Sequence, residues 1–129
     1  MTQTGHDVSE LIYICEGSEL VDGAKGVRFP VTAGGEDWTA FVVRFGDKAY
    51  AYLNRCAHVP MELDWNQGEF FESSGLYLMC ATHGALYEPE TGKCAGGPCR
   101  GGKLRPVSIV ERDDKVYWQP DDYLGPARA

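Results

Sequence analysis

Two short segments of this 129-residue chain, Cys56-Ala57-His58 and Cys80-Ala81-Thr82-His83, each set a thiol beside an imidazole, and 21 residues separate His58 from Cys80. The chain holds three histidines, so two of the three fall at these positions. Donors so close in sequence, carried on loops, can aim at one small object, and the fold must then bring both loops together. Two Cys and two His suit either a tetrahedral zinc ion or a [2Fe-2S] cluster with two thiolates on one iron and two imidazoles on the other. Structural zinc sites more often pair like with like at each knuckle. Here each segment carries one donor of each type, as a cluster needs if both loops are to reach both irons. For any single Cys or His, a buried thiol or a core imidazole is the plainer reading. Four at these spacings favour a metal centre.

The remaining cysteines, Cys15, Cys94 and Cys99, bring the count to an odd five. The opening MTQTGHDVSE lacks the basic and apolar regions of an export signal, so a disulfide framework fits poorly. Cys94 and Cys99, five apart, could form a redox-labile disulfide, but a cytosolic setting favours free thiols packed near the metal site; Cys15 is expected as a core residue. No apolar run approaches the length of a membrane span. Twelve Lys and Arg against 19 Asp and Glu give a net charge of −7, which argues against a nucleic-acid partner because phosphate binding needs clustered cations. A cytoplasmic protein with no membrane partner is expected.

Sixteen glycines and seven prolines punctuate the chain at short intervals, a pattern of many short strands and tight turns. Leu11–Ile14 and Val27–Val31 read as strands, the second pushed toward a sheet edge by Pro30. Trp38–Phe45 and Lys48–Leu53, joined by Gly46-Asp47, read as a hairpin with a primed turn. Leu76–Cys80 reads as a further strand, and Leu104–Val110 joins Val116–Trp118 through residues 111–114 as a second hairpin. No window carries a sustained helical period. The expectation is one mostly β domain over residues 1–129, with a core from about 11 to 118 and a tail, 119–129, that is frayed or extended over the surface.

Cys-x-His followed by Cys-x-x-His-Gly, continued by His83-Gly84, resembles the signature of the Rieske family. The stretch Tyr87-Glu88-Pro89-Glu90-Thr91-Gly92-Lys93-Cys94-Ala95-Gly96-Gly97-Pro98 is similar to the segment of that family leading to the Gly-Pro loop that closes over its cluster. The resemblance runs from about Leu11 to Trp118. It implies an all-β fold of Rieske-type stacked antiparallel sheets, with two cluster-binding loops at one tip and one [2Fe-2S] cluster per chain. By that match Cys56 and Cys80 hold the inner iron, while His58 and His83 hold the outer iron near solvent. Met61 and Ala81 or Thr82 stand where exported respiratory members carry a disulfide pair, which places the chain in the ferredoxin-like branch. The spacer between the ligand pairs is several residues longer than in typical ferredoxin members.

The resemblance also assigns residues that tune the cluster: Gly84, Ala85, Tyr87 and Pro98. High-potential members carry a Ser at the place of Ala85 and a Tyr at the place of Tyr87, both donating toward sulfur, so half of that pair is missing here. Between Cys56 and Gly92 there is no Lys or Arg but six acids, Glu62, Asp64, Glu69, Glu72, Glu88 and Glu90. Negative charge opposes the uptake of an electron, so a potential in the lower part of the range for this ligand set is expected. Individually, most of these acids read as a solvated face.

The function implied is one-electron transfer, not catalysis, between a reductase and a terminal oxygenase or other oxidoreductase. An acidic carrier of this kind is steered to basic docking surfaces on its redox partners. The exposed imidazoles should lose a proton more readily once the iron is oxidised, so the potential should fall as pH rises. Rival readings are a regulatory subunit of a larger reductase or oxygenase, and a structural zinc protein. The aromatics of the long spacer, Trp65 and Phe70, offer an anchor for docking. That Trp65 and Phe71 merely pin the loop to the sheet is the favoured reading.

Overall fold

The computed structural model describes residues 11–56, 61–64, 67–81, 84–99 and 101–127. Among them run ten strands: β1 (Ile12–Glu16), β2 (Val27–Ala33), β3 (Glu36–Phe45), β4 (Lys48–Leu53), β5 (Leu78–Met79), β6 (Leu86–Tyr87), β7 (Cys94–Gly96), β8 (Ser108–Arg112), β9 (Lys115–Gln119) and β10 (Leu124–Pro126). The only helical element among the described residues is a 3₁₀ turn at Gly17–Glu19. No helix among them is long and apolar enough to cross a membrane.

The strands form three antiparallel sheets, ordered β1-β9-β8, β10-β2-β3-β4 and β5-β6-β7. Strand β3 is the partition of the molecule. Its alternate residues Ala40 and Val42 enter one core, with Val31, Leu53, Val116 and Trp118. Phe41 and Val43 enter a second core on the opposite face, with Tyr52, Leu63, Phe70, Leu78 and Tyr87. A period of two along a strand buried on both faces sorts its side chains in this way. The second core is shared with both metal-candidate loops, so the central sheet is their foundation.

Both hairpins form, the second with other bounds than expected. Strand β8 starts at Ser108 and not at Leu104, and Glu111 and Arg112 belong to it, so the turn is Asp113-Asp114 alone. Gly46 and Asp47 both have positive φ, 59° and 72°, the geometry of a primed turn whose twist suits the strands. Asp113 and Asp114 do the same at 54° and 61° between β8 and β9, a turn that aspartate tolerates although glycine would be easier. Cys15 is buried in the first core as expected, and burial pushes its thiol up to about 11.

Two expectations are narrowed. Strand β2 is an edge only in part: β10 pairs with Val31–Ala33, its last three residues, and Val27–Pro30 lie beyond that pairing. Pro30 falls just where that pairing has ended, so its missing N–H costs no ladder bond there. Of the two readings of the tail, its described part, residues 119–127, takes the extended one, held by strand β10, and is not frayed. Leu124 is buried, and Asp121 turns the chain by accepting the amides of Tyr123 and Leu124 at 2.8 and 2.7 Å. One apolar side chain and an aspartate turn were enough to add a strand.

Candidate metal centre

Cys56 lies three residues beyond β4, and its amide donates to the Met61 carbonyl at 2.8 Å, closing the first loop on itself. Buried polar groups hold that loop to the sheet. The Asn54 side chain, with 0% of the residue exposed, accepts the Leu63 amide at 2.8 Å and donates to Asp64 at 2.9 Å. Asp64 in turn accepts the Gly68 amide at 3.0 Å. From β2, Arg28 sends one nitrogen to both carboxylate oxygens of Glu62 at 2.8 Å. Arg28 Nε lies 3.5 Å from Asp64, an ion pair without hydrogen-bond geometry. Thr39 completes the set by donating to Glu62 at 2.6 Å.

The second loop leaves β5 at Cys80 and returns to β6 through Gly84 and Ala85. It is a tight return: the Gly84 amide donates to the Cys80 carbonyl and the Cys80 amide to the Ala85 carbonyl, both at 2.9 Å. Gly84 takes φ +74°, which a side chain would resist. The Ala81 amide donates to the Leu63 carbonyl at 2.9 Å and ties the second loop to the first. Cys56, Cys80, Ala85 and Tyr87 are all buried in the second core. The Tyr87 hydroxyl lies 3.2 Å from the Cys56 sulfur. With Cys56 as thiolate the hydroxyl is the donor, because a thiolate has no proton to give.

The third segment lies against the second loop. Pro98 is exposed at its crest, and Gly97, at φ +80°, sits against the second loop. A Cβ built on Gly97 would meet the Gly84 carbonyl oxygen at 2.9 Å and the Ala85 Cα at 3.0 Å, so the contact is backbone on backbone. Cys94 and Cys99 are joined by a disulfide, with Cα atoms 5.6 Å apart. This corrects the expectation of free thiols. The turn at Gly97 folds the six residues from Cys94 to Cys99 back on themselves and brings both Cα atoms within disulfide range, a proximity that spacing alone does not reveal.

His58, His83 and Trp65 lie outside the described residues. Phe70 is described and is 0% exposed, its ring stacked on Phe41 with centroids 3.9 Å apart. It is a core residue and cannot serve as a docking anchor. Phe71 stacks on Phe45 at 6.2 Å, so the spacer is indeed pinned to the sheet by aromatics. Glu62 and Asp64 are not part of a free acidic face, since Arg28 and Asn54 hold them.

Sequence reasoning missed Arg28 and Asn54, whose partners lie up to 36 residues away and leave no local signal. It also missed Tyr52, which donates to the Pro89 carbonyl at 2.8 Å and whose ring leaves no room for a Cβ on Gly92. Burial holds the Tyr52 hydroxyl well above the usual tyrosine range. Met61, 46% exposed, lines an open cavity of 410 Å³ with Trp38, Asp37, Thr39 and Glu62.

The sequence profile of the Rieske [2Fe-2S] domain family matches residues 10–113. Among solved structures, the ferredoxin of carbazole 1,9a-dioxygenase from Nocardioides aromaticivorans IC177 superposes with a TM-score of 0.66 at 24% identity, over 86% of this chain and 98% of that one. A chain of the complex of reduced oxygenase and oxidized ferredoxin in carbazole 1,9a-dioxygenase superposes at 0.65 with 22% identity, over 93% and 97%. A quaternary ammonium Rieske monooxygenase superposes at 0.64 with 19% identity, over 88% of this chain but 31% of that one. No curated protein sequence matches the chain.

Proposed function

This chain belongs to the Rieske [2Fe-2S] domain family, and from that premise we propose that it is a one-electron carrier. In this reading it passes electrons, ferredoxin-like, from a reductase to a terminal oxygenase or other oxidoreductase. The family's cofactor is a [2Fe-2S] cluster, which when bound takes up and releases one electron. The residues present suit it: two cysteines buried in one core, one of them met by a hydroxyl at 3.2 Å. We assign Cys56, His58, Cys80 and His83 as the ligands.

The contact between Tyr87 and the Cys56 sulfur is the observation that carries the proposal. A donor aimed at a buried sulfur has value where that sulfur bears negative charge, and more value when the charge increases. The chain's other tasks follow. The network of Asn54, Asp64, Arg28 and Glu62 fixes the first loop, the amide of Ala81 ties the second to it, and Gly97 packs against the second at Gly84 and Ala85. Four protein donors leave a cluster no open position for a substrate, so these residues carry charge and do not perform catalysis. Within these 129 residues only His6 remains, too few for a separate iron site of two His and a carboxylate.

With two thiolates offset by the charge of the oxidised core, the holoprotein stays near −7. Partners with basic docking surfaces would associate faster at low salt. A coulometric titration should accept one electron per chain, and the second-order rate of reduction by a basic reductase should fall as ionic strength rises. Uptake of no electron, or a rate indifferent to salt, would count against the proposal.

A further inference from the structure

The disulfide between Cys94 and Cys99 spans the segment that lies against the second candidate loop, and its two sulfurs are not equally reachable. Cys99 is 3% exposed, whereas Cys94 is half-buried and lines an open cavity of 290 Å³ with Lys93, Gly101, Gly102 and Lys103. Lys93 and Lys103 face each other across an antiparallel bridge, both exposed and with no ion pair among the described residues. Like charges directly opposite one another cost stability. The lining of that cavity carries two cations, Lys93 and Lys103, and no Asp or Glu; Arg105, further along, is already paired with Asp121 at 3.4 Å. The cavity that exposes Cys94 is therefore a local cationic site on a chain whose net charge is −7.

We propose that Cys94–Cys99 is a thiol-exchange site, entered at Cys94 by a small thiol bearing carboxylates, and that its opening releases the Gly96–Pro98 segment from the loop it packs against. The chemistry balances without a further reagent. A thiolate attacks the Cys94 sulfur and forms a mixed disulfide, while the bond to Cys99 breaks and Cys99 leaves as thiolate and takes a proton. A second thiolate then attacks the mixed disulfide at the sulfur of the small thiol and frees Cys94. The products are two protein thiols and one oxidised small-molecule disulfide, two electrons having passed to the protein.

The consequence for the site follows from position. Cys94 pairs directly with Tyr87 across β6 and β7, and Tyr87 reaches the Cys56 sulfur. Gly97, inside the closed loop, rests on Gly84 and Ala85. By the chain-entropy relation, cutting a loop this short makes its opened form roughly 40-fold more populated. Only the effect on the metal centre rests on the proposed electron-carrier reading; the exchange itself does not.

The test uses holoprotein held without oxygen and two probes, reduced glutathione, which is anionic, and cysteamine, which is cationic. Peptide mapping should find the glutathione adduct on Cys94. The double substitution Lys93→Gln, Lys103→Gln should slow glutathione exchange about tenfold and leave cysteamine exchange unslowed. Amide hydrogen exchange at Gly102, which donates to the Cys99 carbonyl at 2.7 Å, should quicken by tens of fold on opening, and a chelator should withdraw iron faster. An adduct on Cys99, equal slowing of both thiols, or opening that leaves Gly102 exchange unchanged would each overturn the proposal. A protein that binds no iron yet exchanges as described would defeat the carrier reading and leave the thiol site standing.

Discussion

Replacing Tyr87 with Phe removes a single oxygen from a place closed to water, since Tyr87 is 0% exposed and Cys56 is 4% exposed. The phenyl ring stays packed, so little stability should be lost. What changes is one donor 3.2 Å from the Cys56 sulfur. When the centre gains an electron, that donor meets more negative charge. A neutral hydrogen bond contributes about 1 kcal/mol net and a charge-assisted one about twice that, so the reduced state is favoured by about 1 kcal/mol. For a one-electron couple, with about 59 mV per tenfold change, this is a fall of about 40 mV in Tyr87→Phe. Redox titration followed by visible absorbance or electron paramagnetic resonance reads the shift directly. An intact centre whose potential stays within about 10 mV of the parent would refute the reasoning, because the hydroxyl would then be indifferent to the electron.

Other perturbations separate positioning from tuning. Asp64→Ala leaves Arg28 and Asn54 facing a vacated buried site and should cost about 3–5 kcal/mol, measured by urea unfolding of the holoprotein. Gly97→Ala forces a Cβ to 2.9 Å from the Gly84 carbonyl at a positive φ; bleaching of the visible bands should come at lower temperature, with a loss of about 1–3 kcal/mol. Ala85→Ser introduces the hydroxyl found at that place in high-potential members and should raise the potential by about 40 mV, the opposite sign to Tyr87→Phe. Phe70→Ala removes a ring stacked on Phe41 and should cost about 3–5 kcal/mol in stability, whereas loss of partner affinity without loss of stability would show that its burial was misjudged.

The parts of this molecule legible in the sequence are those written in local chemistry. A primed turn needs positive φ, so Gly46-Asp47 announces its hairpin, and two mixed Cys/His pairs announce a metal site before any fold is known. Cys56, Cys80, Ala85 and Tyr87 do share one buried core. Illegible were contacts that close over long separations. Arg28 reaches Glu62 across 34 residues and so brings a cation into a segment that has none of its own. That pairing weakens the expectation built on six acids, because two of them are held by partners on the sheet. The Cys94–Cys99 disulfide is illegible for a different reason. The redox compartment argues for free thiols there, but the turn at Gly97 brings the two cysteines together whatever the compartment. Phe70 and Trp65 look alike as aromatics of a long spacer, and burial, which periodicity could not supply there, is what assigns Phe70 to the core.

The central claim is that two thiolates and two imidazoles of this chain hold one diiron centre. Pulsed electron paramagnetic resonance of the reduced protein measures the imidazoles directly, through the coupling of the unpaired electron to nitrogen. Two strongly coupled nitrogens are expected, one disappearing in each of the single variants His58→Cys and His83→Cys. A spectrum free of strong nitrogen coupling, or a colourless protein carrying one zinc ion per chain, would contradict the account.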